Sequence, residues 1–186
     1  MKFNKTVQVM QKLGKSVVTG GRAILKKRPS HTTSVNTLYK DFKYTVESND
    51  KSVRVFWTFG GAEEYWDFVN QGVKGSGGFK GSGKMRGQGS PYSFKGKNIA
   101  RGVIKKWIAY KPLKLRNKKG QFIEKSKANI KSAEFLIGRA IAQRGLTRTL
   151  FFDTPYNKEF KKYENKILQA FADDLEEDMQ NNLDKD

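Results

Sequence analysis

The side chains in this sequence best suited to chemistry are cations set among glycines. Between Gly72 and Gly96 stand nine of the chain's 18 glycines, the bases Lys74, Lys80, Lys84, Arg86 and Lys95, and no acid. A second run, Lys111 to Lys131, holds eight basic residues, including Lys114, Arg116, Lys118 and Lys119, against the single acid Glu124. Between the two runs Lys97, Arg101 and Lys105 recur every four residues, which places them on one face of a helix. Ammonium and guanidinium groups presented this way hold phosphates or carboxylates and displace counterions; they do not cleave bonds. The expected occupant is therefore DNA or an acidic protein surface, with residues 72–96 an extended arm that orders on assembly.

Other chemistry is thinly supplied. There is no cysteine, so thiol nucleophiles, thiolate metal sites and disulfides are excluded. The one histidine, His31, sits among Ser and Thr and reads as part of a loop. The stretch from Gly78 to Met85 matches GxxxxGK, but Met85 stands where a phosphate loop needs a magnesium-binding hydroxyl, and Pro91 follows where its helix should run. Glu63, Glu64 and Asp67 could together hold a metal for nuclease chemistry, yet no matching acid follows the glycine-rich run. No catalytic residue, cofactor site or metal site is expected, and the chain reads as a non-enzyme.

Charge supports that reading. The formal net charge is +19, from 37 basic and 18 acidic residues; residues 156–186 hold five bases and nine acids, a net −4, which leaves +23 on the rest. A basic body with an acidic tail favours a polyanion or a complementary copy of itself. At 186 residues, 37% hydrophobic and a mean hydropathy of −0.72, one domain with excursions is expected. No apolar run approaches the roughly 18 residues of a membrane span and the N-terminus has no secretory pattern, so use without crossing a membrane is expected.

Hydrophobic spacing names the elements that must position these cations. Thr6 to Lys27 reads as an amphipathic helix through Val7, Met10, Val17, Val18, Ile24 and Leu25, weakened by Gly14, Gly20 and Gly21. Phe42 to Glu47 and Ser52 to Phe59 alternate as a β-hairpin, with Val53, Val55 and Trp57 on one face. Tyr65, Phe68 and Val69 are expected to point inward from a short segment. Lys97 to Tyr110 is a helix with Ile99, Val103, Ile104, Trp107 and Ile108 as its stripe. Ile130 to Arg144 is another, with Ile130, Ala133, Leu136, Ile137, Ala140 and Ile141 inward and Gly145 as its left-handed cap. Asp153 offers an N-cap with Pro155 opening a long helix, residues 155–183, through Phe160, Tyr163, Ile167, Phe171, Leu175 and Met179. The result is an α+β fold: a small antiparallel sheet, an N-terminal helix, two central helices and a long C-terminal helix, with basic loops at 72–96 and 111–129.

Taken in series, several short motifs resemble the minor tail component, or head-tail joining and tail-completion, family of tailed bacteriophages, particularly forms from crAss-like phages. In that family a Y-x-x-F/Y-V-x-x-G segment falls on Tyr65, Phe68, Val69 and Gly72. An I-x-x-W helix then falls on Ile104 and Trp107, an A-I-x-x-x-G helix on Ala140, Ile141 and Gly145, and an F-F-x-x-P turn on Phe151, Phe152 and Pro155. The resemblance covers about residues 38–180 and departs from the family in the long stretch 72–96, where relatives often have a short Gly-Lys-Pro-Pro turn. It implies a single non-enzymatic head-tail joining domain over 1–186, located in the virion neck or upper tail. There it would form a ring, dodecameric in the family, that stacks on portal, connector or tail proteins around the DNA channel. The alternative from charge alone is a sequence-nonspecific nucleic-acid-binding protein.

Overall fold

Helix α1, Asn4–Lys26, buries one stripe, Leu13, Val17, Val18 and Leu25, and leaves its lysines outside. The computed structural model describes residues 3–27, 37–78, 84–95, 104–105, 108, 114–117 and 119–183. These fall into two compact units, Met1–Asn70 with Thr149–Asp186, and Gln71–Arg148. The architecture is α+β, as expected.

In the first unit α1 is followed by α2 (Thr37–Asp41) and the antiparallel hairpin β1 (Lys43–Ser48) and β2 (Val53–Thr58), with Val46 opposite Val55 and Tyr44 opposite Trp57. Alternation decides the faces: Val53, Val55 and Trp57 are half-buried, while Arg54, Phe56 and Thr58 are exposed. The glycines of α1 are where its neighbours come closest. A Cβ on Gly14 would strike the Tyr44 ring, one on Gly21 would lie 2.5 Å from the Phe42 ring, and one on Gly20 would lie 2.9 Å from the Cβ of Pro155. Their helix-weakening effect is thus offset by packing that no larger residue permits.

The core is aromatic. Phe42, Phe59 and Phe151 are buried; Phe59 stacks on Phe42 at 5.1 Å and on Trp66 at 4.2 Å, and Phe151 meets Phe42 edge-on at 5.6 Å. Trp66 is the inward ring of α3 (Trp66–Gln71). Tyr65 and Phe68, expected inward, are exposed, and of the expected set only Val69 packs on the core. Six helical residues are too few for periodicity to choose a face, so stacking on Phe59 chose it.

Two buried polar residues tie the unit together. Asn70 accepts the Leu150 and Phe152 N–H groups on its backbone and side-chain oxygens, at 3.0 and 3.1 Å, holding Leu150 at a φ of 51°. That backbone costs a non-glycine residue about 1–2 kcal/mol. Asp174 of the long helix α5 (Asp153–Leu183) accepts from the Lys5 N–H (2.9 Å), the Thr6 N–H (2.8 Å) and the Thr6 hydroxyl (2.7 Å). Phe3, the residue before α1, gives no side-chain cap, so the first turn is capped from α5 instead. The long helix begins at Asp153, two residues before the expected start; Pro155 lies inside the first turn, where N–H groups have no intrahelical partner, and not at its first position.

The second unit corrects the expected arm. Described parts of 72–96 are hydrogen-bonded to the end of α4 (Lys127–Arg144): β3 (Val73–Lys74) pairs antiparallel with β6 (Gly145–Leu146), the Arg86 N–H donates to Arg144 O at 2.8 Å, and the Ser76 N–H donates to Ala142 O at 2.9 Å. Residues 84–95 fold back on β3, with the Lys74 N–H on Tyr92 O and the Phe94 N–H on Lys74 O. The segments meet backbone to backbone: a Cβ on Gly87 would strike the Val73 carbonyl, and one on Gly145 would lie 2.5 Å from Val73 O and 2.8 Å from Arg86 O. Both glycines also have positive φ, 65° and 89°, so each is required twice over.

The expected loop 111–129 is likewise structured where described. Leu115–Arg116 (β4) and Phe122–Ile123 (β5) form a small hairpin, and Asn117 Oδ1 accepts the Lys119 and Gln121 N–H groups across the turn. Helix α4 begins at Lys127, three residues ahead of the expected start, capped by Ser126, whose hydroxyl accepts from the Asn129 N–H. The buried stripe of α4 is Glu134, Gly138 and Ala142; Leu136, expected inward, is 61% exposed. Gly145 does end α4, donating to Ile141 O. Of the expected helix at 97–110, Ile104, Lys105 and Ile108 are described; all three are helical and the two isoleucines are buried.

For Asp174, burial raises the carboxyl pKa, but the Thr6 and Lys5 donors together outweigh it and hold it below the ordinary value of 3.8. A lowered folded pKa means the contribution is complete above the unfolded value and drains as pH falls through the folded one. Asp174→Ala is expected to cost about 1–3 kcal/mol in denaturant unfolding at pH 7, and to flatten the loss of stability on acidification below about pH 4. Gly87→Ala or Gly145→Ala is expected to abolish hydrogen-exchange protection at the Lys74, Arg86 and Phe94 amides. Gly120→Ala, which would meet nothing within 4 Å, should cost only the roughly 1–2 kcal/mol of its left-handed backbone.

Candidate polyanion-binding surface

The two units differ sharply in charge. Residues 71–148 contain 20 Lys and Arg against two acids, Glu124 and Glu134, a net +18 of the chain's +19; the other unit, with 17 bases and 16 acids, is nearly neutral. The acidic tail seen in the sequence belongs to a unit whose own bases balance it. All but one charge of the surplus sits in the unit built by the glycine-rich segments.

Within it the cations gather in two places. Around the C-terminal end of α4, the exposed side chains of Lys74, Lys84, Arg86 and Lys95 stand on segments that the backbone bonds fasten to residues 142–146. Arg144 is half-buried and structural: its Nε donates to Lys84 O at 3.0 Å. The last carbonyls of α4, Ile141 to Arg144, already accept backbone N–H groups, so what favours cations here is the negative end of the helix dipole.

The second group is the β4–β5 hairpin. Arg116 lies over the Phe122 ring, its guanidinium carbon 4.4 Å from the centroid, with the Lys114 ammonium 5.3 Å from the same ring. Phe122 is 60% exposed and borders a hollow of about 350 Å³ with Lys114, Leu115, Ile123 and Lys125. An exposed aromatic face among cations can stack a base or an apolar side chain while the cations hold a phosphate or carboxylate. Lys119 is exposed in the hairpin turn, and Lys105 is exposed on its helix. Lys80, Arg101, Lys118 and Trp107 lie outside the described residues, as do His31 and most of the GxxxxGK stretch.

Of the motif residues, Tyr65 and Phe68 are exposed, while several others are closely packed. A Cβ on Gly72 would lie 2.6 Å from Arg148 N and Leu146 O; Phe151 is buried, Phe152 half-buried, and Pro155 is buried against Gly20. Of the acids considered for a metal, Glu63 accepts the Phe59 N–H at 2.7 Å, and no group of three or more His, Cys, Asp or Glu among the described residues is placed to hold a metal ion. Among those residues no helix is long and apolar enough to cross a membrane.

Four residues of consequence escape a reading by residue type and spacing: Asn70, Phe122, Glu134 and Asp174. The available signal for Glu134 was its rarity, as one of two acids in a stretch of net +18. It is buried, with Oε1 lacking a hydrogen-bond partner among the described residues. Phe122 was a lone aromatic in a basic run, a pattern that suits stacking better than core packing.

Lys114→Glu combined with Arg116→Glu is expected to weaken binding to heparin and duplex DNA and to flatten the salt dependence by about two units of log–log slope, with the melting temperature unchanged. Compared with known protein families, curated proteins and solved structures, the chain matches none.

Proposed function

We propose that this chain is a structural, non-enzymatic virion subunit that assembles as a ring in the neck or upper tail of a tailed phage. It joins the portal or head to the tail around the DNA channel. The observation that carries this reading is the partition of charge: a nearly neutral unit with a firm aromatic core, and a unit of net +18 built to present cations. A ring around packaged DNA needs both, one part to hold its place in the wall and another to face polyphosphate or the acidic surfaces of adjoining rings. Support also comes from the serial motifs at Gly72, Gly145, Phe151, Phe152 and Pro155, which fall at close-packed positions in this fold.

The second reading, a nonspecific nucleic-acid-binding protein, is favoured by the exposed Phe122 under Arg116 and Lys114. The two readings separate in the particle. Mass spectrometry of gradient-purified virions is expected to find the chain in fixed proportion to the portal protein, and electron microscopy to place it at the neck. A chain absent from particles, yet bound to nucleic acid in infected cells with a steep salt slope, would reject the ring and favour the second reading.

A further inference from the structure

The apolar residues of α5 lie on two adjoining strips. Tyr163, Ile167 and Ala170 pack inward in the first unit. Leu168, Phe171, Leu175 and Met179, at spacings of three, four and four, align beside them and remain 38–65% exposed, although Phe171 also stacks on Phe3 at 5.6 Å. Exposed carboxylates border this second strip: Glu164 stands one turn before Leu168, and Glu176 three residues before Met179. A continuous apolar strip of this length on a well-formed helix marks a contact surface.

The chain carries a complement to that surface. The β4–β5 hairpin exposes Phe122 with Lys114, Arg116 and Lys125 around it, an apolar centre with basic borders to set against an apolar strip with acidic borders. Acidic borders disfavour an anionic lipid surface, and the net +18 of the unit bearing the hairpin favours a carboxylate-edged seat. We propose that the outer strip of α5 is the seat for the β4–β5 hairpin of a second copy of this chain, an inference that rests on the ring reading above. Because seat and hairpin are different surfaces, the contact suits head-to-tail assembly, the kind that closes into a ring or continues as a filament.

The test uses the full chain in solution. Leu175→Lys with Met179→Lys alters two exposed side chains and should leave the melting temperature nearly unchanged. Sedimentation is expected to show self-association of the unaltered chain that weakens as salt rises, and about tenfold or more weaker association in the double variant. Carboxylate-to-amine crosslinking of a mixture of ¹⁴N and ¹⁵N chains should join Glu164 or Glu176 of one copy to Lys114, Lys119 or Lys125 of another. A monomeric unaltered chain, oligomers that persist in the double variant, or crosslinks confined to single chains would overturn the seat. Oligomers that persist in the variant leave the ring standing with a different interface. Self-association through α5 by a chain that is missing from particles would overturn the virion placement alone.

Discussion

Like charges confined to a small unit repel, and the unit formed by residues 71–148 must cohere with 20 bases and only two acids. Side-chain ion pairing cannot balance that ratio. The structure answers with backbone: three segments lie so close at Gly72, Gly75, Gly87 and Gly145 that their peptide groups bond directly; Lys74, Lys84, Arg86 and Lys95 are exposed, while Arg144 donates into the junction. Glycine-rich composition, usually a sign of flexibility, here permits close approach. The same arrangement that limits repulsion also exposes the cations, so cohesion and presentation of charge share one cause.

The other unit is held in the ordinary way, by an aromatic core and a helix pair. Glycines at 14, 20 and 21 let α1 approach the hairpin, Phe42 and Pro155, and Phe42, Phe59 and Phe151 fill the centre. Two polar residues supply the specificity that apolar packing lacks. Asn70 holds the strained Leu150 as the chain re-enters the unit, and Asp174 reaches from α5 to cap α1. Each joins residues far apart in sequence, so each requires the finished fold.

On the proposed ring reading, cohesion in one unit and outward charge in the other serve two separate tasks in an assembly. Near neutrality in the aromatic unit lets it pack against proteins without repulsion, while the basic unit supplies long-range attraction to a polyanion or an acidic neighbour. Hydrogen-bonded glycine segments also mean that the cations around α4 are positioned before a partner arrives, which lowers the ordering entropy lost on binding.

The amino-acid order alone determined the α+β class, the N-terminal helix, the register-bearing hairpin, Gly145 as the end of α4 and the long last helix, because each rests on periodicity or a cap that acts locally. It also determined the charge. Tertiary structure alone decided that Trp66 points inward where Tyr65 and Phe68 do not, that Leu136 faces out while Glu134 is buried, and that Asp174 is a cap and not merely one acid in an acidic run. It decided too that the described parts of 72–96 are a folded framework. Backbone packing at glycine leaves no pattern of side chains to read, and a buried polar group is recognised only by the distant donor it meets.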